Sequence, residues 1–74
     1  SEAMDSTLRE VPLFQSQGEI SGEFVYLYPP GIPLIAPGEV ITEEILESLK
    51  KYKKQGLKVQ GMDDFTGRMI KIVG

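Results

Sequence analysis

The 74-residue chain contains no cysteine and no histidine. Without cysteine there is no disulfide to staple the fold and no thiolate metal site. Without histidine it lacks the commonest general base at neutral pH and the commonest metal ligand. Oxygen-only cation sites remain open to it, yet its acids are scattered apart from Glu43-Glu44 and Asp63-Asp64. An EF-hand-like loop needs regularly spaced oxygens and a closing glutamate, which Asp63, Asp64 and Thr66 do not supply, so this stretch reads as a solvated loop. No apolar run approaches the 18 or more residues of a membrane-spanning helix, and no signal-peptide pattern opens the chain. Glycine-rich phosphate loops, Ser/His/Asp sets and a lysine in a Schiff-base context are also missing. The reading is therefore of a chain with no self-sufficient active site: no catalytic, cofactor-binding or metal-ligating residue is assigned.

Positive charge is also scarce. Eight Lys and Arg stand against eleven Asp and Glu, for a net charge of -3. That argues against nucleic acid as the main partner. Lys50, Lys51, Lys53 and Lys54 look basic, but glutamates precede them on the same segment, which reads as complementary charge along one helix. Seventy-four residues allow one domain. A chain this short buries only about 60% of the surface its unfolded form exposes. With no disulfide and no evident metal, the missing stabiliser is most simply a partner surface.

Residues 1–9 are read as a tag scar (Ser1-Glu2-Ala3 ahead of Met4) and a flexible arm, and residues 10–74 as the domain. Val11 to Gly18 is read as a short helical turn with Pro12 at its first position. Glu19 to Tyr28 reads as one strand, with Phe24, Tyr26 and Tyr28 on one face and Val25 and Leu27 on the other, both faces expected to be covered. The helix expected at about 42–55 is the best-marked element. Thr42 is its N-cap, Ile41 and Leu46 form a hydrophobic staple, and Gly56 is its stop. Ile45, Leu46, Leu49 and Tyr52 form its apolar stripe, and Glu47 pairs with Lys51. Leu57–Gln60 and Met69–Val73 read as strands, paired as a hairpin across a polar connection. The expected fold class is α+β: a small single domain with a short mixed or antiparallel sheet, one main helix and a proline-rich loop.

That loop, Tyr28-Pro29-Pro30-Gly31-Ile32-Pro33, is the least ordinary stretch. Pro30-Gly31 fits the centre of a type II turn, and Pro37-Gly38 repeats the chemistry. A plain rigid turn between strands, a polyproline ligand (P-x-x-P from Pro30 to Pro33) and a presented loop with an apolar tip are the readings weighed. The polyproline reading is disfavoured because the stretch is embedded between apolar segments. Glu39, just after the second turn, is read as a fixed polar group at a cleft edge or as a solvated turn residue. The tyrosines are assigned to packing with the hydroxyl at the edge.

The segment Gly18-Glu19-Ile20-Ser21-Gly22-Glu23, the Tyr28–Pro33 loop, Pro37-Gly38-Glu39 and the helix that follows together resemble the C-terminal domain of the bacterial ornithine/lysine/arginine decarboxylases. That family shows a G-R-I-S/A-A-E segment, then Y-P-P-G-I/V-P, then P-G-E. The likeness covers about residues 10–61, with Glu19 standing where arginine is expected and Gly22 where alanine is. The short stretch after Gly61 resembles the compact Gram-positive members, often arginine-type. The resemblance implies a fold-type-I pyridoxal-phosphate (PLP) enzyme of polyamine biosynthesis, homo-oligomeric and cytoplasmic. Its large domain would hold PLP on a lysine and would be this domain's partner in the same chain. Zero cysteine fits such a reducing compartment. This piece would bind no cofactor, perform no catalysis alone, and contact neither nucleic acid nor membrane. Tyr28, Pro29, Pro30, Gly31, Ile32, Pro33 and Glu39 would form the active-site entrance or interface loop. The native reading frame is then expected to continue upstream of Met4. A second reading, a stand-alone protein-interaction module using the Tyr26–Pro37 surface, expects a natural start near Met4.

Overall fold

The structure, a computed structural model, describes residues 8–28 and 31–74. In chain order it contains β1 (Leu8–Pro12), a 3₁₀ turn (Leu13–Gln15), β2 (Ile20–Ser21), β3 (Val25–Tyr28) and β4 (Ile32–Ile35). These are followed by α1 (Glu43–Lys54), β5 (Lys58–Gln60) and β6 (Met69–Val73). The strands form two antiparallel three-stranded sheets, one in the order β1-β6-β2 and the other β4-β3-β5. With one helix, this is the expected α+β class, built from two small sheets rather than one.

The long strand expected at Glu19–Tyr28 is broken at a corner. Gly22 N–H donates to the Lys71 carbonyl at 2.8 Å, holding the chain on the first sheet. Ser21 Oγ accepts from Glu23 N–H and donates to its carbonyl. The Glu23 carboxylate then accepts from Asp63 N–H at 2.9 Å and Lys71 N–H at 2.8 Å. The chain leaves this corner on the second sheet. β5 and β6, expected to pair as a hairpin, lie in different sheets: β5 pairs with β3, and β6 is the centre of the first sheet. Glycines open and close the connection between them. At Gly61 φ is 106° and an added Cβ would lie 2.8 Å from the Phe24 carbonyl oxygen.

Leu8 and Arg9, expected in the loose arm, pair with Val73 and Ile72 in β1. The helical turn expected over Val11–Gly18 shrinks to Leu13–Gln15, because Pro12 and Val11 are strand residues paired with Met69 and Ile70. Both proline-bearing strands, β1 and β4, are edge strands, where a missing N–H costs no ladder bond.

The helix meets expectation closely. Thr42 Oγ1 accepts from Ile45 N–H at 3.2 Å. At the other end Gly56 has φ 94°, its N–H donates to Lys53 C=O, and Leu57 N–H donates to Tyr52 C=O, the paired bonds of a Schellman stop. Leu46, Leu49 and the staple residue Ile41 are buried, Ile45 is half-buried, and Tyr52 is exposed. Glu47 pairs with Lys50 at 3.6 Å instead of Lys51. Lys50 and Lys53 instead lie over the Phe14 ring, 5.7 and 5.4 Å from its centroid.

One core serves both sheets and the helix. Val25 and Leu27 of β3, Val59 of β5, Ile70 and Ile72 of β6, and Leu46 and Leu49 of α1 are buried in a single cluster. The other face of β3 is only partly covered: Tyr28 is 52% exposed and Tyr26 half-buried, and Phe24, just before the strand, is 46% exposed. The expectation that both faces are covered is not met within these residues, since the one helix packs on the inner side.

Candidate functional site

The predicted entrance loop is the turn of the β3–β4 hairpin. Tyr28 ends β3 and Ile32 opens β4, and both are exposed, as is Gly31. Pro29 and Pro30, and with them the type II turn expected at Pro30-Gly31, lie outside the described residues. Pro33 sits opposite Tyr26 across the ladder. The second turn is as expected. Glu39 N–H donates to Ala36 C=O at 3.1 Å across Pro37-Gly38, and Gly38 takes φ 91°.

Glu39 lies at the far end of β4 from the Tyr28–Ile32 tip, so the structure does not gather the predicted set into one cleft. Glu39 Oε1 accepts from Ala36 N–H at 2.8 Å and so braces its own turn. With Pro33 and Phe24 it lines a shallow cleft of about 180 Å³. A larger cleft of about 400 Å³ lies by β5, lined by Lys53, Leu57, Lys58, Val59, Gln60, Phe65 and Thr66.

Three features of this surface have roles that the sequence did not announce; there Asp64 reads only as part of a solvated loop. One is Glu23, whose carboxylate ties the corner to the 61–68 connection and to β6. A second is Asp64, which organises the same connection. Its Oδ1 accepts from the Thr66 hydroxyl and N–H, and its Oδ2 accepts from Met69 N–H at 2.9 Å. The Thr66 hydroxyl, foremost among these donors, holds the carboxyl below its ordinary value. Asp-x-Thr-Gly is a local signal for such a side-chain-capped turn. The third is Phe65, displayed by that turn with 89% of its surface exposed. Asp63 pairs with Lys71, and this hydrogen bond raises the lysine above its ordinary value. Both carboxylates of the Asp63-Asp64 pair are thus engaged by protein donors. Arg9 and Glu19 make a loose surface pair at 3.8 Å, which occupies the position that departs from the family pattern.

PLP needs a lysine amine in an enclosed site with donors for its phosphate. The described lysines do not fit this. Those of α1 and β5 are exposed, and Lys71 is held by Asp63. Both clefts are open and shallow in volume, and neither encloses an amine.

The family model described as Orn/Lys/Arg decarboxylase, C-terminal domain, matches residues 1–70. The chain belongs to this family. It is 48% identical over 63 residues to an arginine decarboxylase of Bacillus subtilis (strain 168), which covers 85% of this chain and 13% of that protein. It is 40% identical over 57 residues to the inducible lysine decarboxylase of Escherichia coli (strain K12), 73% of this chain and 8% of that one. Its fold matches part of the crystal structure of a Francisella novicida lysine decarboxylase with a TM-score of 0.74 and 31% identity, covering 97% of this chain and 12% of the other. The decarboxylase C-terminal domain therefore spans about an eighth of the Bacillus subtilis and Francisella novicida proteins it matches. Among its described residues, no helix is long and apolar enough to cross a membrane.

Proposed function

We propose that this chain is the C-terminal accessory domain of a PLP-dependent decarboxylase of arginine, lysine or ornithine. In this reading it packs on the enzyme's large domain, and the Tyr28–Pro33 hairpin tip shapes the approach to the active site. The observation that carries the reading is the match of nearly the whole domain to a small part of a lysine decarboxylase chain. The exposed Tyr28 and Ile32 at the tip support it, since apolar side chains held out on a short hairpin suit contact with another surface. Pyridoxal phosphate belongs to the large domain, where it supplies the electron sink for loss of carbon dioxide. This domain's own residues bind no cofactor and hold no proton for the reaction; their part is packing and the shape of the entrance. Glu39 acts through its turn, holding β4 where it leaves the second sheet. The parent enzyme is a homo-oligomer of the bacterial cytoplasm.

The test is the full native reading frame expressed with pyridoxal phosphate and given ornithine, lysine and arginine in turn. A visible absorption band with one amine product supports the reading and names the substrate. Neither band nor product contradicts it. In the active enzyme, Tyr28→Ala is expected to change kcat/KM while leaving the absorption band intact. An unchanged kcat/KM removes the hairpin tip from the entrance.

A further inference from the structure

The two sheets present different outer surfaces. On the first, Lys71 stands opposite Glu10 and pairs with Asp63, a surface of charges suited to water. On the second, Tyr26 stands opposite Pro33 and Gln60, and Tyr28 opposite Lys58. The Phe24 and Tyr26 rings stack 5.8 Å apart on that side. Lys58 and Gln60 also line the cleft by β5 that Phe65 lines with Lys53, Leu57, Val59 and Thr66. This face carries the Phe24, Tyr26 and Tyr28 rings, and the carboxylate beside Phe24 and Pro33, that of Glu39, has one oxygen accepting from Ala36 N–H. Phe and Tyr are among the residues enriched in interface cores.

Phe65 is also held ready. Asp64 fixes the turn on either side of it, Glu23 holds Asp63 N–H, and Gly67 N–H donates to Asp64 C=O. An exposed aromatic on a braced turn loses little conformational freedom on docking, which is what makes an anchor effective.

We infer that the outer face of the β4-β3-β5 sheet, from Pro33 across Tyr26, together with Phe65 beside its β5 edge, is the surface by which this domain docks on the remainder of its own parent chain, with Phe65 as the anchor. This rests on the reading of the domain as part of a decarboxylase and adds the surface it uses. The occupant follows from length: the matched relatives carry more than four-fifths of their chain outside this unit. An uncovered aromatic face on so small a domain has that mass as its nearest available cover.

The test is hydroxyl-radical footprinting of the full-length protein, with each residue's rate divided by the intrinsic reactivity of its type. Tyr52 on α1 is the internal reference. In this domain Phe65 and Tyr28, at 89% and 52% exposure, should outreact Tyr52 at 37%. In the full chain the order is expected to reverse, with Phe65 and Tyr28 falling below Tyr52, independently of protein concentration. Phe65 still outreacting Tyr52 overturns the inference. Protection that vanishes on dilution also overturns it, in favour of a second copy as the occupant. Phe65→Ser is a second check, expected to lower the full-chain melting temperature more than Tyr52→Ser, and an equal effect counts against the anchor. Decarboxylase activity of the same sample separates the outcomes. An active enzyme with Phe65 exposed refutes the docking face alone, and an inactive protein with Phe65 protected refutes the decarboxylase reading alone.

Discussion

Glu23 joins backbone groups 40 and 48 residues away in sequence, and so ties the corner between the sheets to both β6 and the 61–68 connection. Hydrogen bonds to a charged group contribute roughly 1.5–3 kcal/mol, so Glu23→Ala is expected to destabilise by about 2 kcal/mol in denaturant unfolding. Glu23→Gln, which keeps one acceptor oxygen, is expected to lose less. Equal losses for the two would show that the charge and second oxygen contribute nothing. The glycines separate backbone strain from crowding. An added Cβ at Gly38 meets nothing within 4 Å, so Gly38→Ala carries only the left-handed penalty of about 1–2 kcal/mol. At Gly61 the same Cβ also meets the Phe24 carbonyl and the Tyr26 ring, so Gly61→Ala is expected to cost more. A smaller loss at Gly61 would refute the close approach. Asp64, with its folded pKa depressed, contributes stability that is present at neutral pH, above its unfolded pKa. That contribution is lost as the pH falls through the lowered value. The melting-temperature gap between wild type and Asp64→Asn is therefore expected to be widest near neutrality and to narrow in acid; a constant gap contradicts this. Thr42 and the Pro37-Gly38 turn were legible in the sequence because the bonds that define them, Ile45 N–H to Thr42 Oγ1 and Glu39 N–H to Ala36 C=O, each span three residues. The partners of Glu23 are remote, and no local pattern announces them.

At the scale of elements, α1 was readable from end to end because cap, staple, stripe and stop all reinforce one period. Thr42→Ala is expected to cost about 1 kcal/mol in denaturant unfolding, and no change would mean the cap is idle. Lys51→Ala is expected to be near neutral. Lys50→Ala loses a few tenths of a kcal/mol up to about 1 through Glu47 and the Phe14 ring. The strands were legible as apolar runs but not as partners. Residues 19–28 carry no strong breaker beyond Gly22, and only the bonds to Lys71 and Asp63 reveal that two sheets meet there. The hairpin expected between β5 and β6 fails for a related reason. Their connection holds the Gly61 and Gly67 turns and the buried Met62, and it carries the chain from one sheet to the other. As for the candidate site, the hairpin tip stood out through its prolines and the Pro37-Gly38 turn through its chemistry. Phe65 stayed hidden because one aromatic in a polar stretch looks like any other until its exposure is known.

For the whole molecule, the open aromatic face, the lysines unsuited to an enclosed aldehyde and the small share of each relative that the domain spans describe one arrangement. In the proposed reading that arrangement is a structural piece of a larger enzyme, with the chemistry carried elsewhere. The two small sheets share one core, so the domain has a fold of its own, but it leaves a face that its single helix cannot cover. The most direct check of this account is a side-by-side measurement of carbon dioxide release. The full native reading frame and the 74-residue chain are each supplied with pyridoxal phosphate and arginine, lysine or ornithine. The account predicts release with a single amine product from the full protein and none from the domain alone. Release from the isolated domain, or its absence from the full protein with all three amino acids, would contradict it.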